Sequence, residues 1–363
     1  MTLHRIVLLS GDGIGPEITR VTKEILIALS QKCSFEISFE EKPFGGKAIE
    51  LTNNPLPEET LDACRECDAV LLAAIGDPKY DNLERELRPE TGLLRLRAEL
   101  GLFANIRPVK TRAALLNSSS LKEEVIRNVD LLVVRELTGG IYFGQPKGRI
   151  NTEAGGQRAF NTMTYSDQEI DRIAKVAFEL AKRRRRKVCS IDKANVLDVS
   201  QLWRERVISI GKSYKDIDLS HQYVDNAAMQ LVRKPSQFDV ILTGNLFGDI
   251  ISDEAAMLTG SIGMLPSASL GSGKPGVFEP VHGSAPDIAG KNIANPIAMI
   301  LSAAMMLRIA LKEEIAAEKL EKAIDNTLAK GIRTIDLTTG PLEKSCGCKE
   351  IGEHILQEIR SLE

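Results

Sequence analysis

The sequence predicts an α/β fold built on a mainly parallel sheet. Apolar runs of four to six residues alternate with longer amphipathic stretches. No repeat of fixed period and no low-complexity linker breaks the alternation, and 363 residues suffice for one large or two medium domains. In chain order the pattern gives a strand at Ile6–Leu9, a helix at Pro16–Ser30, a strand at Phe35–Phe39, a helical segment at Glu58–Cys67 and a strand at Ala69–Ala74. It continues with strands at Leu131–Val134, Val188–Ile191 and Asp239–Thr243, and a long helix at Ser166–Arg186. Pro16 suits the first turn of its helix, where a missing N–H costs nothing. Composition marks no domain boundary.

Charge excludes several classes of protein. There are 47 basic and 50 acidic side chains, net −3, with 27% charged and 43% hydrophobic residues. That balance fits a folded globular chain and neither a disordered one nor a polyanion-binding coat. The opening apolar run is short and breaks into a Gly/Asp turn, so it reads as a first strand and not as a signal peptide. The longest uncharged stretch, from Ala255 past Leu270, carries Pro, Thr, Ser and Gly unsuited to a membrane span. Six scattered cysteines predict reduced thiols in a cytoplasmic setting. Cys64 and Cys67 with Cys346 and Cys348 would make a zinc set, but the first pair lies in a helical segment without a knuckle turn. The basic run 182–187 ends a helix before a strand, where the helix dipole favours cations. No aromatic interleaving points to nucleic acid.

Five segments could carry chemistry. After the first strand, Gly11-Asp12-Gly13-Ile14-Gly15-Pro16 fails the dinucleotide fingerprint because Pro16 stands where the third glycine belongs. Arg97, Arg107 and Arg135 each fall at an expected element end, where three converging guanidiniums would hold a dianion, although each alone reads more readily as a surface ion pair. Asp249 and Asp253, four apart on one helical face, repel unless a cation such as Mg²⁺ or Mn²⁺ lies between them; the alternative is a solvated acidic face, against which flanking Leu246, Phe247, Ile250 and Ile251 suggest burial. Lys193 and Tyr142 are candidates for proton transfer in a chain with four histidines, or are structural. The last segment, from Glu279 to Gly290 and on to Asn295, reads as one long loop: either a nucleotide site, with Asp287 on a ribose 2′-OH, or a packed connection.

Together these segments resemble the β-decarboxylating dehydrogenases, the isocitrate/isopropylmalate dehydrogenase family. The carrying lines are Gly11 to Glu17, Glu90-Thr91-Gly92-Leu93-Leu94 with Arg97, Val134 to Gly144, Asp192-Lys193-Ala194-Asn195, Tyr223 to Ala227, and the Asp249 and His282 segments. The resemblance implies a two-domain fold that is not a Rossmann fold. Residues 1–102 with 260–363 would form the first, NAD-binding domain, and 103–259 the second, which makes a homodimer with shared active sites.

In residue terms, the resemblance implies that Arg97, Arg107 and Arg135 grip the substrate carboxylates, and that Asp249, Asp253 and a partner's Asp225 hold Mg²⁺ or Mn²⁺. Asp225 also counts among the substrate contacts. Lys193, from the partner, and Tyr142 would be catalytic. Leu93 and Leu94, with Val196 nearby, would meet an isopropyl group where isocitrate enzymes place polar residues. NAD would lie on Ile14, Glu90, Glu279, His282, Gly283, Ser284, Ala285, Pro286, Asp287 and Asn295. The implied reaction is NAD-dependent oxidative decarboxylation of (2R,3S)-3-isopropylmalate to 4-methyl-2-oxopentanoate and CO₂ in leucine biosynthesis, in the cytoplasm or, with a transit peptide removed, a plastid stroma. Neither nucleic acid nor membrane is an expected partner. A sister enzyme for isocitrate, tartrate or homoisocitrate, and a dimer that only binds, are the competing readings. Ser10, Asp77 and Gly244 depart from the family pattern at positions without a catalytic role.

Overall fold

A single ten-stranded sheet runs through the molecule. The computed structural model describes residues 3–273, 275–340 and 344–362. The sheet strands are β1 (Leu3–Gly11), β2 (Glu36–Glu41), β3 (Ala69–Ala74), β4 (Ala104–Lys110), β5 (Asp130–Glu136), β8 (Lys187–Asp192), β9 (Asp218–Tyr223), β10 (Val240–Thr243), β11 (Pro266–Leu270) and β12 (Gly276–Pro280). Between them, β6 (Gly148–Asn151) and β7 (Gln157–Phe160) form a separate hairpin. The order is β2-β1-β3-β12-β11-β4-β5-β10-β8-β9. Strands from the two chain ends thus fill one half, and strands from the middle of the chain fill the other.

The expected strands appear in place, and Ala69–Ala74 is one of them residue for residue. Its apolar side chains are all buried because helices cover both faces, as parallel sheets require. Pairing is mostly parallel, but β11 runs antiparallel to both β12 and β4, and β4 antiparallel to β5. The two halves meet at the β11–β4 pair. Behind it packs Ile297–Met306, a helix buried at every residue, which is apolar all round for that reason. Among the described residues no helix is long and apolar enough to cross a membrane.

Three expectations need correcting. The helix expected to reach Arg186 stops at Lys182, and the arginines beyond it bind strand starts instead of serving its dipole. Arg184 pairs with Asp239 at 2.9 Å and Asp130 at 2.6 Å, and Arg185 caps the carbonyls of Asp130 and Phe238. Glu279 and Pro280 are in strand β12 and not in a loop. Arg107 lies in the middle of β4, not at an element end. Cys64 and Cys67 are buried as free thiols pushed up by that burial, and no described group of three or more His, Cys, Asp or Glu could hold a metal.

Candidate active site

The C-terminal half of β1 runs into a loop that Asp12 fastens. Its carboxylate accepts the backbone N–H groups of Gly46, Lys47 and Gly76 at 2.9–3.0 Å. Gly13, at φ +55°, lies so close to Ser284 that a Cβ would fall 2.0 Å from its carbonyl oxygen. Ile14 N–H donates to the same carbonyl at 2.8 Å. The first loop and the 281–290 segment, distant in sequence, are therefore locked together.

Beside them opens a cavity of about 380 Å³. Arg97 and the half-buried Leu93 and Leu94 reach it from the helix Pro89–Glu99, Arg107 from β4 and Arg135 from β5. All three guanidiniums are buried, with residue exposures of 8%, 6% and 2%. Burying a charge costs on the order of several kcal/mol, so each is paired. Arg97 Nη2 donates to Glu279 at 2.8 Å, while its Nε is buried without a hydrogen-bond partner. Arg107 donates to Ser252 at 2.7 Å and Asp253 at 3.2 Å. Arg135 pairs with Asp249, and Gly248 makes room for it, since a Cβ there would meet the arginine side chain at 2.7 Å.

Asp249 and Asp253 do share one face of the helix Asn245–Ala256, as both touch Arg107. The expected burial holds only in part: Asp249 is half-buried, whereas Asp253 and Ile250 are exposed. Burial pushes Asp249 up, but Arg135, Arg107 and the Tyr142 hydroxyl outweigh it and hold the carboxyl below its usual range. Asp253, with weaker support, is raised by burial. Tyr142 donates to Asp249 at 2.8 Å, and burial followed by that carboxylate raises the phenol to about 12.

A second cavity, of about 300 Å³, adjoins the first through His282 and Gly283 and takes in Ile14, Ala285, Asn295 and Asp336. His282 Nδ1 lies 2.9 Å from the Gly283 carbonyl, which leaves Nε2 buried without a partner. Glu90 and Glu279 line the first cavity instead. Ser284 spends its hydroxyl on the Gly76 carbonyl at 2.5 Å, while Pro286 and Asp287 are exposed and line neither cavity.

Lys193 and Asp225 lie apart from this cluster. They pair with each other at 2.6 Å on the outer surface. Val196 is not beside Leu93 and Leu94 within one chain; it is 67% exposed and lines neither cavity.

Several buried polar groups were not singled out from the sequence. Asn245 is fully buried and uses its whole amide: Oδ1 accepts from Arg135 Nε and Nη2, and Nδ2 donates to the carbonyls of Leu137 and Gly139. Glu136 accepts the N–H groups of Thr138 and Gly139 and so shapes the turn leading to Tyr142. Burial raises its carboxyl.

A mixed α/β fold in which three buried arginines, two from the sheet and one from a helix, gather with a carboxylate pair at one cavity defines a class, and comparison with known proteins agrees. The chain belongs to the isocitrate/isopropylmalate dehydrogenase family, whose model matches residues 5–355, and is an oxidoreductase of that family. It is 71% identical over 362 residues to a 3-isopropylmalate dehydrogenase of Prochlorococcus marinus, covering 100% of both chains. It is 66% identical over 362 residues to one of Synechococcus sp., covering 99% of this chain and 100% of that one. Among solved structures, an isocitrate dehydrogenase from Methylococcus capsulatus superposes with a TM-score of 0.88 at 35% identity, covering 99% of this chain and 100% of that one. The expected family fold is thereby borne out.

Proposed function

We propose that this chain catalyses the NAD-dependent oxidative decarboxylation of (2R,3S)-3-isopropylmalate to 4-methyl-2-oxopentanoate and CO₂ in leucine biosynthesis. The observation that carries this reading is one cavity with three buried guanidiniums at its base and Leu93 and Leu94 on its wall. Arginine forks suit two carboxylates, and the leucines suit an isopropyl group. The extra carboxylate of isocitrate would be desolvated against them without a partner. The relatives named for isopropylmalate are also far more similar in sequence than the isocitrate enzyme.

The donor set fits a divalent cation. Asp249 and Asp253 offer two hard oxygens, which is what Mg²⁺ takes from a protein when substrate and water complete its shell; Asp225 of a second copy would add a third. NAD fits the second cavity, where the unpartnered His282 Nε2 could meet a base and Ile14 and Ala285 offer an apolar bed, with Asn295 lining it although its amide is held by Asp336 and the Ile297 N–H. Asp287 beside it would disfavour a 2′-phosphate. When bound, NAD supplies the hydride acceptor at C2 and the cation supplies Lewis acidity at the C2 oxygen.

The chain's own residues do the rest. Arg97, with its spare Nε, and Arg107 and Arg135 orient the carboxylates. Lys193 of a second copy takes the C2 hydroxyl proton. Tyr142 returns a proton to C3 after CO₂ leaves, a role for which a phenol raised to about 12 stays loaded throughout the neutral range. Residues 1–102 with 260–363 and residues 103–259 act as two domains meeting at this cleft.

The homodimer is part of the proposal. Met229 and Val232 on the helix Val224–Arg233, with Ile250 and Met257 on and just after the neighbouring helix Asn245–Ala256, leave apolar side chains in water. The β6–β7 hairpin is almost wholly exposed, and isolated hairpins are marginal in water. A second copy covering these elements would bring Lys193, Val196 and Asp225 toward the cavity. The curated relatives are bacterial, which favours the cytoplasm over the plastid reading.

The test is NADH formation on a panel of 2-hydroxy diacids before and after chelation. Isopropylmalate should be the best substrate, with activity abolished by chelation and restored by Mg²⁺ or Mn²⁺. Better turnover of isocitrate or tartrate would overturn the substrate, and full activity after exhaustive chelation would overturn the cation site.

A further inference from the structure

The three arginines are not held alike. Arg97 meets a carboxylate, Glu279. Arg107 and Arg135 also meet carboxylates through their Nη atoms, but, unlike Arg97 with its unpartnered Nε, they turn their Nε edges to neutral amide oxygens: Arg107 Nε donates to Asn105 Oδ1 at 2.7 Å, and Arg135 donates through Nε and Nη2 to Asn245 Oδ1 at 3.0 and 2.8 Å. Both asparagines are completely buried. In a low-dielectric interior a touching carboxylate would cancel much of a guanidinium's field, whereas an amide dipole fixes its direction and leaves its charge.

Asn105 also joins two arginines. Its Nδ2 donates to Ser269 Oγ at 3.0 Å, across the β4–β11 pair where the two residues are register partners. Ser269 in turn donates to Glu279 Oε1 at 3.4 Å, and Glu279 holds Arg97. A polar line therefore runs from Arg107 through Asn105, Ser269 and Glu279 to Arg97, over three adjacent strands.

We propose that Asn105 is a positioning and specificity-determining residue: it orients Arg107 by the Nε edge and, by being neutral, keeps the cavity base from turning net negative before a doubly charged substrate enters. This rests on reading the cavity as a dicarboxylate site. Around the cavity base the three guanidiniums already face Glu279, Asp249 and Asp253. One more buried carboxylate would make that group net negative before any dianion enters.

Asn105 permits a clean test because its donor ends on a hydroxyl. In Asn105→Asp the Ser269 hydroxyl can rotate to donate toward the new carboxylate, giving up only its long 3.4 Å bond to Glu279, so shape and the Asn105-site pairing survive while charge changes. Asn245 offers no such test, since its Nδ2 faces two carbonyls that cannot turn into donors.

The experiment compares wild type, Asn105→Asp and Asn105→Ala in steady-state kinetics with isopropylmalate, NAD and Mg²⁺, with thermal melting in parallel. Asn105→Asp should raise the isopropylmalate KM about tenfold or more, with the NAD KM within about twofold, whereas Asn105→Ala should raise the former only about two- to fivefold. Melting should rank the other way, the alanine variant being the less stable because it leaves a void and an unpaired Nε. A purely structural asparagine predicts that alanine is worse on both counts; that ranking, or a wild-type KM in Asn105→Asp, overturns the proposal. Should Asn105→Asp fail to fold, Asn105→Ser keeps a neutral but shorter acceptor and must raise KM while kcat holds, and an unchanged KM overturns the positioning role. If wild type prefers another diacid, the substrate reading falls while the same ranking on that diacid still decides this one. A chain that accepts no dicarboxylate overturns both.

Discussion

The arginine cavity and the Lys193–Asp225 pair make an instructive contrast. In the cavity, Arg107, Arg135, Asp249, Ser252, Asn105 and Asn245 satisfy one another in a half-buried network that a single chain completes. Lys193 and Asp225 pair with each other, the ammonium also lying over the Tyr223 ring at 5.9 Å, on a surface that exposes Tyr223 and Val196. A solvated ion pair is worth little to stability. The contrast teaches that the first cluster is preorganised by the fold, whereas the second would gain a purpose in the proposed dimer, where a second copy covers it.

The sharpest way to break that contrast is to mix two inactive variants, Lys193→Ala and Asp253→Ala. If Lys193 acts across the interface, a heterodimer collects both lesions in one site and leaves the other intact. Activity should rise from near zero toward half of the sites in each heterodimer. Confirmed subunit exchange with no recovery would show either that each site is built within one chain or that the sites cannot work independently. A smaller effect is expected on the cavity wall. Leu94→Ala should shrink the preference for isopropylmalate over malate by roughly 1–3 kcal/mol, read as the ratio of the two kcat/KM values. An unchanged ratio would place the isopropyl group elsewhere. Least of all should change at Asp287, whose exposure lets water screen it. Asp287→Asn should narrow the NAD over NADP preference by about fivefold or less, and a wild type that uses both cofactors equally would remove Asp287 from the cofactor site.

Sequence periodicity locates what is locally encoded. Ala69–Ala74 is uniformly apolar, and Ser166 with Glu169 closes a reciprocal cap at the start of its helix, so both announce themselves. Strands β4, β11 and β12 do not. They carry Pro108, Pro266 and Pro280, and each has on one side a neighbour more than 100 residues away in sequence, β4 with β11 and β12 with β3. The same reason hid Asn105 and Asn245. An arginine or a carboxylate pair signals chemistry by its charge, but a buried amide means nothing until the fold supplies the guanidinium that it orients. Ser284 shows the converse. Its segment drew attention as a cofactor loop, yet its hydroxyl is spent on pinning Gly76.

The pairing of β3 with β12 bears on how the chain is made. Until residue 276 and those after it have left the ribosome, the apolar edge of β3 has no strand to meet. At ordinary elongation rates the roughly 200 residues between them take on the order of 10–40 s to synthesise. Throughout that interval the nascent N-terminal segment presents a sticky, unpaired edge of the kind that invites aggregation. The middle strands β5, β8, β9 and β10, all complete by Thr243, can meanwhile assemble first. Protein synthesis therefore favours finishing the central half while the early strands wait for a holdase or for their distant partner.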